Sequence, residues 1–455
     1  MTPHMRTGLS LLILAVTALG SAPVAQQPAA LAIVNVTVIP MDRERTESDQ
    51  TVIVRGDRIE ALGPAASVTV PPRARQVDGR GKFLIPTLSE MHAHIPPGNA
   101  TDAEIARVLT LYAVNGIGTV RGMLGAPKHL PLRDRANRGE MLSPWIYTSG
   151  PSFNGSSAPS ADIAVRMVKD QKAAGYDLLK IHPGVKRDVF DALAAAADAA
   201  GIRFAGHVPL EVGLLRALEA RYATIDHIDG YMEALAREGA SGSQMFGLNL
   251  TGVLDESRIP SLVEATRKAG VWIVPTEALF QHWLGPDDPE AMSAWPEMQY
   301  VPKDQLAQWV ESKKQLMAGA TTAERARFLE MRKRLIKALH AGSVGLLLGS
   351  DGPQVWNVPG FSVHRELRYL VQAGLTPYQA IETGTRNVAV FYSTTADRGT
   401  IAQGKRADLV MVEGNPLADI GNSAKIAAVV LGGRLLTKDD IDKQLTGLRP
   451  VVAGM

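Results

Sequence analysis

The stretch FLIPTLSEMHAH (residues 83–94) begins as an apolar run and ends in two histidines that stand one residue apart. In a β-strand, residues i and i+2 point to the same side, so His92 and His94 would present both imidazoles to one point. Converging imidazoles most often bind a metal ion, although a polar strand end with two exposed histidines would have the same sequence. The stretch therefore predicts a strand whose end is a candidate metal site, and the rest of the chain has to decide between these alternatives.

Further strand-like runs follow this stretch, and helical patterns separate most of them. The runs are GIGTVRGM (116–123), WIYTSG (145–150), YDLLKIH (176–182), RFAGHV (203–208), ATIDHID (223–229), VWIVPT (271–276) and VGLLLGSD (344–351). Alternating strands and helices are typical of an α/β protein with a parallel sheet, and eight βα units predict a TIM barrel over residues 87–395. In such a barrel the catalytic residues lie at the carboxyl ends of the strands.

Short β-like segments at both ends of the chain predict a second domain. Residues 29–86 contain several such segments separated by turn signals, and residues 396–440 have the same character. We expect the two parts to combine into a small β-sandwich beside the barrel. A long connection at 277–343 interrupts the barrel pattern, and such connections are lids, oligomer contacts or packed helical hairpins.

The last helix of the predicted barrel has a clear start signal. In LTPYQAIETGTRNVAVFY (375–392), Thr376 can cap the helix and Pro377 stands at its first position. Gln379 would complete a capping box with Thr376. The helix is therefore predicted to begin at Pro377.

Composition excludes several classes of protein and of site. The 455 residues are 45% apolar and 21% charged, with a formal net charge of +2 and no strongly basic block, which gives no basis for nucleic-acid binding. There is no cysteine, so disulfides, cysteine–zinc sites and a thiol nucleophile are absent. The segment SGPSFNGSSAPS (149–160) offers serines but no Gly-x-Ser-x-Gly motif.

The N-terminus has the features of a secretory signal peptide. Arg6 precedes the uncharged apolar run LSLLILAVTALG (9–20), and small residues follow in SAPVA (21–25). The apolar run is too short to span a bilayer comfortably. We therefore expect residues 1–25 to be removed and the mature chain to be soluble, without a membrane contact, and secreted or periplasmic.

Residues that can bind metal also fall at the ends of later predicted strands. Lys180 lies on the fourth strand, and His207 and His227 end the fifth and sixth. Asp351 ends the eighth strand. The chain has only 10 histidines, and each of these residues alone would fit an ordinary buried role. Together with the histidines of the first strand, however, they predict a metal centre at the C-terminal end of the barrel.

These motifs and their order resemble the amidohydrolase superfamily, and within it the imidazolonepropionase-like and metal-dependent Xaa-Pro dipeptidase (prolidase)-like branch. The resemblance covers nearly the whole mature chain and is carried by GKFLIPTLSEMHAH (81–94), NGIGTVRGM (115–123), AGHVP (205–209), LGSDGP (348–353), HRELRYLVQAGLTPYQAIETGTRNVAVF (364–391) and GTIAQGKRADLVMVEGNPLADI (399–420). Thr87 and Glu90 stand where relatives usually have glycine and aspartate, and Gly122 follows Arg121 where many have aspartate. None of these departures removes a ligand.

The resemblance implies a binuclear metal site. His92, His94 and Asp351 would bind the buried ion, and His207 and His227 would bind the more exposed one. The ions are expected to be divalent, with Zn²⁺ the first choice.

The resemblance also assigns a role to Lys180, which would bridge both ions after carboxylation by carbon dioxide to N6-carboxylysine. An ammonium repels cations, whereas a carbamate is an anion with one oxygen for each metal. A one-metal site with an unmodified lysine is the alternative.

The implied activity is that of a metal-dependent amidohydrolase acting on a small-molecule amide or peptide, such as a dipeptide, an N-acyl amino acid or a cyclic amide. A metal-bridging hydroxide would attack the carbonyl, and Asp351 would carry the proton to the leaving amine. Hydrolysis of lactones, carbamates or phosphoesters on the same site is an alternative, and a non-catalytic barrel scaffold is another. We also expect a homo-oligomer.

Three further residues are candidates for contact with the substrate. Tyr231, four residues past His227, could stabilise an oxyanion or could be a loop tyrosine. Arg121 could hold a substrate carboxylate or form a structural ion pair. His182 shares a strand face with Lys180 and could line the pocket.

Overall fold

The computed structural model describes Met1, residues 30–240 and residues 242–450. Apart from Met1, the predicted signal peptide lies outside the described residues. Within those ranges, no helix combines the length and the apolar character that crossing a membrane requires.

The strands of the described ranges fall into three sheets. The strands are β1 (Leu31–Val38), β2 (Glu47–Arg55), β3 (Arg58–Pro64), β4 (Arg75–Asp78), β5 (Phe83–Pro86), β6 (Leu88–Ala93), β7 (Ile117–Gly122), β8 (Trp145–Thr148), β9 (Leu179–Ile181), β10 (Phe204–Gly206), β11 (Thr224–Asp226), β12 (Trp272–Val274), β13 (Leu409–Val412), β14 (Ile426–Leu431) and β15 (Arg434–Thr437).

Helices separate most strands of the central part of the chain. The α-helices are α1 (Asp102–Val114), α2 (His129–Asn137), α3 (Ala161–Ala174), α4 (Arg187–Ala200), α5 (Gly213–Glu219), α6 (Tyr231–Leu235), α7 (Ile259–Ala269), α8 (Glu277–Leu284), α9 (Pro289–Ser293), α10 (Lys303–Ala318), α11 (Thr322–Ala341), α12 (Phe361–Gln372), α13 (Pro377–Gly384), α14 (Arg386–Phe391) and α15 (Lys438–Gly447). Short 3₁₀ helices span Met245–Leu250, Glu256–Arg258, Pro296–Tyr300 and Ile420–Ala424.

The predicted start of the last barrel helix is confirmed. Helix α13 begins at Pro377, and the Thr376 side chain accepts from the backbone N–H of Gln379 while the Gln379 side chain returns to the backbone of Thr376. The helix does not run on to residue 392, because Thr385 leaves the helical region with φ −124° and ψ −92° and separates α13 from α14.

Strands from both chain ends form one eight-stranded sheet, in the order β15-β14-β13-β5-β1-β2-β3 with β4 beside β1. Strand β5 joins the two halves, because it pairs in parallel with β1 and antiparallel with β13. Val52 of the first half and Leu409 of the second share one apolar core. The predicted β unit built from both ends is therefore present, although its pairing is continuous in one sheet.

The central strands lie in two parallel sheets, with β6-β7-β8 in one and β9-β10-β11-β12 in the other. Isolated parallel bridges, such as Ser149 to Leu178, join β8 to the start of β9. These strands match the predicted runs between residues 83 and 276. The carboxyl ends of a parallel sheet meet at one edge, which is where the predicted ligands stand.

The eighth predicted strand, residues 344–351, is the exception, because it is not assigned as a strand. It has one bridge, from Leu346 to Ile273 of β12, and on its other side Leu348 accepts from the N–H of Met91 at 2.8 Å. A longer ladder does not form, because the N–H of Leu348 donates to α13 and the N–H of Ser350 donates to the Glu90 carboxylate. The segment nevertheless lies between β12 and β6 and links the two parallel sheets.

The long connection at 277–343 contains α8 to α11 and packs against the strand ends. Arg332 of α11 is buried and donates to Glu277 Oε2 at 2.8 Å. It also donates to the carbonyls of His227 and Pro275, each at 2.7 Å. Arg332 of this connection thus holds the backbone at His227 and Pro275. The role of the connection as a lid or an oligomer contact stays a prediction.

Candidate metal centre

The residues predicted to bind the buried ion lie together. His94 Nε2 is 2.7 Å from Asp351 Oδ1, and His92 Nε2 is 3.9 Å from the same oxygen. Ligand atoms from the three side chains all lie within 4.8 Å of one another. Such a set of two imidazoles and one carboxylate suits a divalent cation.

The remaining predicted ligands adjoin this group. Lys180 Nζ is 3.2 Å from His92 Nε2, and the rings of His92 and His227 have centroids 4.5 Å apart. The rings of His207 and His227 are stacked at 4.4 Å. The structure therefore brings all of the predicted ligands into one cluster.

The cluster has a buried floor and a more open rim. We call His92, Lys180 and His227 the floor, because each is at most 2% exposed. We call His94 and His207 the rim, because their side chains are 17% and 12% exposed. The rim is therefore the part of the cluster that contacts solvent.

Burial shifts the protonation of the cluster toward neutral ligands. It lowers the pKa of His207 to about 3 and lowers the pKa values of His92 and His227 well below the usual range. Burial also lowers the pKa of Lys180 to about 8. Neutral imidazoles keep a lone pair for a cation, so the buried setting prepares these histidines as ligands.

A buried ion pair orients His92. Its Nδ1 lies 2.8 Å from Asp226 Oδ2, and Thr224 Oγ1 donates to the other oxygen of Asp226 at 2.6 Å. Arg121 is buried, lies 3.3 Å from Asp226 through Nη2 and donates from Nε to the Met91 carbonyl at 2.6 Å. Arg121 thus forms an ion pair with Asp226, the structural role that the sequence also allowed, and binding of a substrate carboxylate by Arg121 stays a prediction. Asp226 sets the direction in which His92 presents Nε2.

The other two strand-end histidines also have an oriented ring. His207 Nδ1 is 2.7 Å from Asp229 Oδ2, so Nε2 is the nitrogen that faces the cluster. His227 Nδ1 is 2.8 Å from Thr276 Oγ1, whose own hydroxyl donates to the Pro275 carbonyl at 2.7 Å. Since that hydroxyl has one proton, it accepts from Nδ1–H, and His227 Nε2 carries the lone pair.

His227 Nε2 supplies a direct test of whether a cation fits. It is buried and has no hydrogen-bond partner among the described residues. A buried polar atom without a partner is costly unless a ligand uses it. His92 also presents Nε2 to Lys180 Nζ at 3.2 Å and to Asp351 at 3.9 Å, so a cation fits this donor set of imidazoles and a carboxylate.

The orienting residues Asp226, Asp229 and Thr276 are absent from the sequence predictions. The segment TIDHID (224–229) does hold a signal, because acidic residues flank the histidine of a predicted strand end. That pattern does not show which histidine each carboxylate orients. Asp226 lies against His92 of another strand, and only the folded chain shows this pairing.

Backbone strain concentrates at the ligand-bearing strand ends. His227, Thr276 and Asp351 are non-glycine residues with left-handed φ values of 64°, 51° and 63°. Such conformations persist where the surroundings enforce them, and they cluster at functional sites. Gly206 has φ 122°, and a Cβ there would be 2.5 Å from the Ile181 carbonyl oxygen, so glycine is required beside His207.

Glu90 ties the first strand to the segment that carries Asp351. Its carboxylate accepts from the N–H groups of His92 at 3.0 Å and Ser350 at 2.9 Å, and it also bonds the Ser350 hydroxyl. Glu90 is fully buried, which raises its pKa to about 8. The glutamate thus holds two ligand-bearing segments in register.

Tyr231 and His182 are the other two residues predicted to contact the substrate. Tyr231 is buried, and its hydroxyl is hydrogen-bonded to Thr266 Oγ1 of α7 at 2.6 Å. The phenol of Tyr231 is thus engaged by Thr266 of α7, and its role as an oxyanion stabiliser stays a prediction. His182 is half-buried, lies 2.9 Å from Ser152 Oγ through Nδ1, and has its ring 5.2 Å from that of His207. It borders the rim, and a role in substrate binding stays a prediction.

Sequence comparison shows which known proteins this chain is similar to. Residues 83–436 match the model of the amidohydrolase family. The chain is 24% identical over 426 residues to an adenine deaminase of Rubrobacter xylanophilus, covering 90% of this chain but 59% of that protein. The chain thus spans little more than half the length of this curated relative.

Solved structures share the fold. A bottromycin amidohydrolase superposes with a TM-score of 0.69 at 21% identity, covering 93% of this chain and 91% of the other. A Xaa-Pro dipeptidase with methionine bound in its active site superposes with a TM-score of 0.65 at 18% identity, covering 90% and 100%. At these identities the likeness establishes the α/β fold.

Proposed function

This chain belongs to the amidohydrolase family, and from that membership we propose that it is a metal-dependent hydrolase acting on carbon–nitrogen bonds of small molecules. The observation that carries the proposal is the convergence of His92, His94 and Asp351, whose ligand atoms lie within 4.8 Å of one another. Imidazoles, a lysine amine and a carboxylate are groups that bind divalent cations and transfer protons.

The proposed substrates are amides such as dipeptides, N-acyl amino acids or cyclic amides. Support comes from the structural neighbours, which include a Xaa-Pro dipeptidase and a bottromycin amidohydrolase. A second candidate is release of ammonia from adenine, which the similarity to an adenine deaminase over 90% of this chain favours. Both candidates break a carbon–nitrogen bond.

The proposed cofactors are two divalent cations, with Zn²⁺ the first choice for nitrogen and oxygen ligands. His92, His94 and Asp351 would hold one, and His207 and His227 would hold the other. Bound cations of this kind lower the pKa of water and polarise a carbonyl oxygen. The unpartnered Nε2 of His227 supports a ligand role for that ring.

We further propose that Lys180 becomes a carbamate. Its neutral amine would attack the carbon of carbon dioxide, form a nitrogen–carbon bond and release one proton. Burial favours the neutral amine by lowering the pKa of Lys180 to about 8. With Nζ 3.2 Å from His92 Nε2, the two carbamate oxygens would enter the cluster. An unmodified lysine beside a single cation is the alternative.

Asp351 is the proposed proton carrier. Its Oδ1 lies 2.7 Å from His94 Nε2 on the rim side of the cluster, and its left-handed backbone fixes the side chain at the strand end. A carboxylate there can accept the proton of the attacking water and return it to the leaving nitrogen.

The finer features of the architecture and of the protein's location are also proposals. The bridge to β12 on one side of residues 344–351 and the hydrogen bond from Met91 on the other support one TIM barrel that includes both parallel sheets, with this segment as its eighth strand. Export through the predicted signal peptide and assembly into a homo-oligomer rest on the sequence. N-terminal sequencing of exported protein and light scattering would test them.

A substrate screen on the zinc-loaded protein tests the proposed function. The panel contains dipeptides, N-acyl amino acids, cyclic amides and adenine, with a lactone and a phosphoester for the alternative chemistry. Release of an amine or of ammonia, together with two bound ions per chain, is the expected result. A chain that retains no metal and turns over none of these compounds would be a non-catalytic scaffold.

A further inference from the structure

The short 3₁₀ segment Met245–Leu250, which follows α6, carries an aromatic ring to the histidine cluster. Phe246 has its ring centroid 5.8 Å from that of His227 and 6.1 Å from that of His207. The side chain is half-buried, and His207 belongs to the rim. Phe246 therefore borders the open side of the cluster, where a substrate would enter.

The local backbone holds Phe246 in this place. Met245, Phe246 and Gly247 have consecutive left-handed φ values of 45°, 59° and 81°. Two non-glycine residues in this conformation are strained, and such strain persists where the surroundings enforce it. A Cβ on Gly247 would be 2.3 Å from Met232 Cβ, so glycine allows the loop to close onto α6.

A second ring fixes Phe246 relative to the ligands. Phe280 of α8 meets Phe246 edge-on with centroids 5.0 Å apart. The guanidinium carbon of Arg332 lies 3.6 Å from the centroid of Phe280, and Arg332 also donates to the His227 carbonyl. Phe246 thus contacts Phe280, Phe280 contacts Arg332, and Arg332 is hydrogen-bonded to His227 of the floor.

Two side chains of different chemistry lie next to His207. The ring of Phe246 is 6.1 Å from that of His207, and the ring of His182, which is hydrogen-bonded to Ser152, is 5.2 Å away. The surroundings of His207 thus include one apolar and one polar ring.

We propose that Phe246 determines specificity by selecting substrates with an apolar group, aromatic or branched aliphatic, beside the scissile carbon–nitrogen bond. An apolar group on this ring would leave water, and an aromatic group would add a ring–ring contact. A glycine-like substrate would leave the ring face in water. The reaction in this inference rests on the proposed function, whereas the binding preference does not.

The test measures binding and turnover separately. Calorimetry compares phenylalanine, leucine and glycine, which contain no amide bond, on the zinc-loaded wild type and on Phe246→Ala and Phe246→Leu. Gln244→Ala is the matched control, because Gln244 is exposed on the same loop. The same proteins are then assayed with N-acetyl derivatives of the three amino acids, and metal content and Tm are recorded for each.

The wild type and Gln244→Ala are expected to bind phenylalanine at least about tenfold more tightly than glycine. Phe246→Ala should lose most of this preference, Phe246→Leu should keep part of it for leucine, and both should keep their metal. Equal binding of the three amino acids by the wild type, or an unchanged preference in a folded Phe246→Ala, overturns the inference. A binding preference without hydrolysis of any amide would instead count against the proposed function alone.

Discussion

The floor and the rim of the cluster use the same histidine–carboxylate unit in different surroundings. On the floor, His92 Nδ1 is 2.8 Å from Asp226, which is fully buried beside Arg121. On the rim, His207 Nδ1 is 2.7 Å from Asp229, and the His207 side chain is 12% exposed. The floor carboxylate is therefore ion-paired with a buried guanidinium, whereas Asp229, which is also buried, has no arginine or lysine ion pair among the described residues.

Function and stability are therefore coupled on the floor and separable on the rim. Removing a partner from a buried ion pair leaves a charge without compensation, which costs about 3–5 kcal/mol. Asp229 has no arginine or lysine ion pair among the described residues, so removing its charge affects mainly the orientation of the His207 imidazole.

Lys180→Ala should have the largest effect, because it removes the proposed bridge from the middle of the floor. We expect the more exposed cation and nearly all activity to be lost, with partial rescue by a short carboxylic acid and bicarbonate. Elemental analysis and turnover measure the two effects. Native metal content and rate in this variant would rule out the bridge.

Asp351→Asn should lower turnover by at least about 10²–10⁴-fold, because an amide cannot accept the proton. His92 and His94 still hold the cation, so metal content should fall only modestly. The loss should be smaller for an activated nitroanilide, whose leaving group needs no proton. Equal, near-native turnover of an alkyl amide and the nitroanilide, with metal retained, would show that the proton takes another path.

Asp226→Asn and Asp229→Asn compare the two units directly. Each should lower metal affinity or activity by about 10–100-fold, because each orients a ligand imidazole. Only Asp226→Asn should also lower the free energy of unfolding of the metal-free protein by about 3–5 kcal/mol, since Arg121 loses its buried partner.

Urea unfolding and metal titration of both variants measure these effects. The double variant Arg121→Met/Asp226→Asn is the control, and it should recover part of the lost stability because the unpaired charge is gone. If both single variants are destabilised equally, the floor and the rim do not differ as described.

His182→Asn should have the smallest effect, because His182 borders the rim without adjoining the floor. We expect KM to rise by a few-fold, about 1 kcal/mol in binding, with kcat and metal content near native. Steady-state kinetics on the best substrate measure the split. A large loss of kcat would place His182 among the groups that act on the reacting atoms.

The sequence predicted the parts of the fold and of the site that follow from local periodicity. Period-two spacing placed His92 and His94 on one strand face, and the strand-end positions of Lys180, His207 and His227 follow from alternating strands and helices. The cap at Thr376 could also be read locally, because its partner Gln379 is only three residues away.

Tertiary structure alone decided what the side chains between these elements contact. Arg121 ends a predicted strand and Tyr231 lies four residues past His227, yet Arg121 pairs with Asp226 and Tyr231 is hydrogen-bonded to Thr266 of α7. Residues 344–351 lack a full ladder because Glu90, far away in sequence, takes a backbone N–H. Phe246 lies near the rim because of the irregular segment Met245–Leu250, whose course no hydrophobic periodicity in the sequence predicts. Such contacts join residues distant along the chain, so no local pattern encodes them, and only packing of the whole chain selects the partner of each buried polar group.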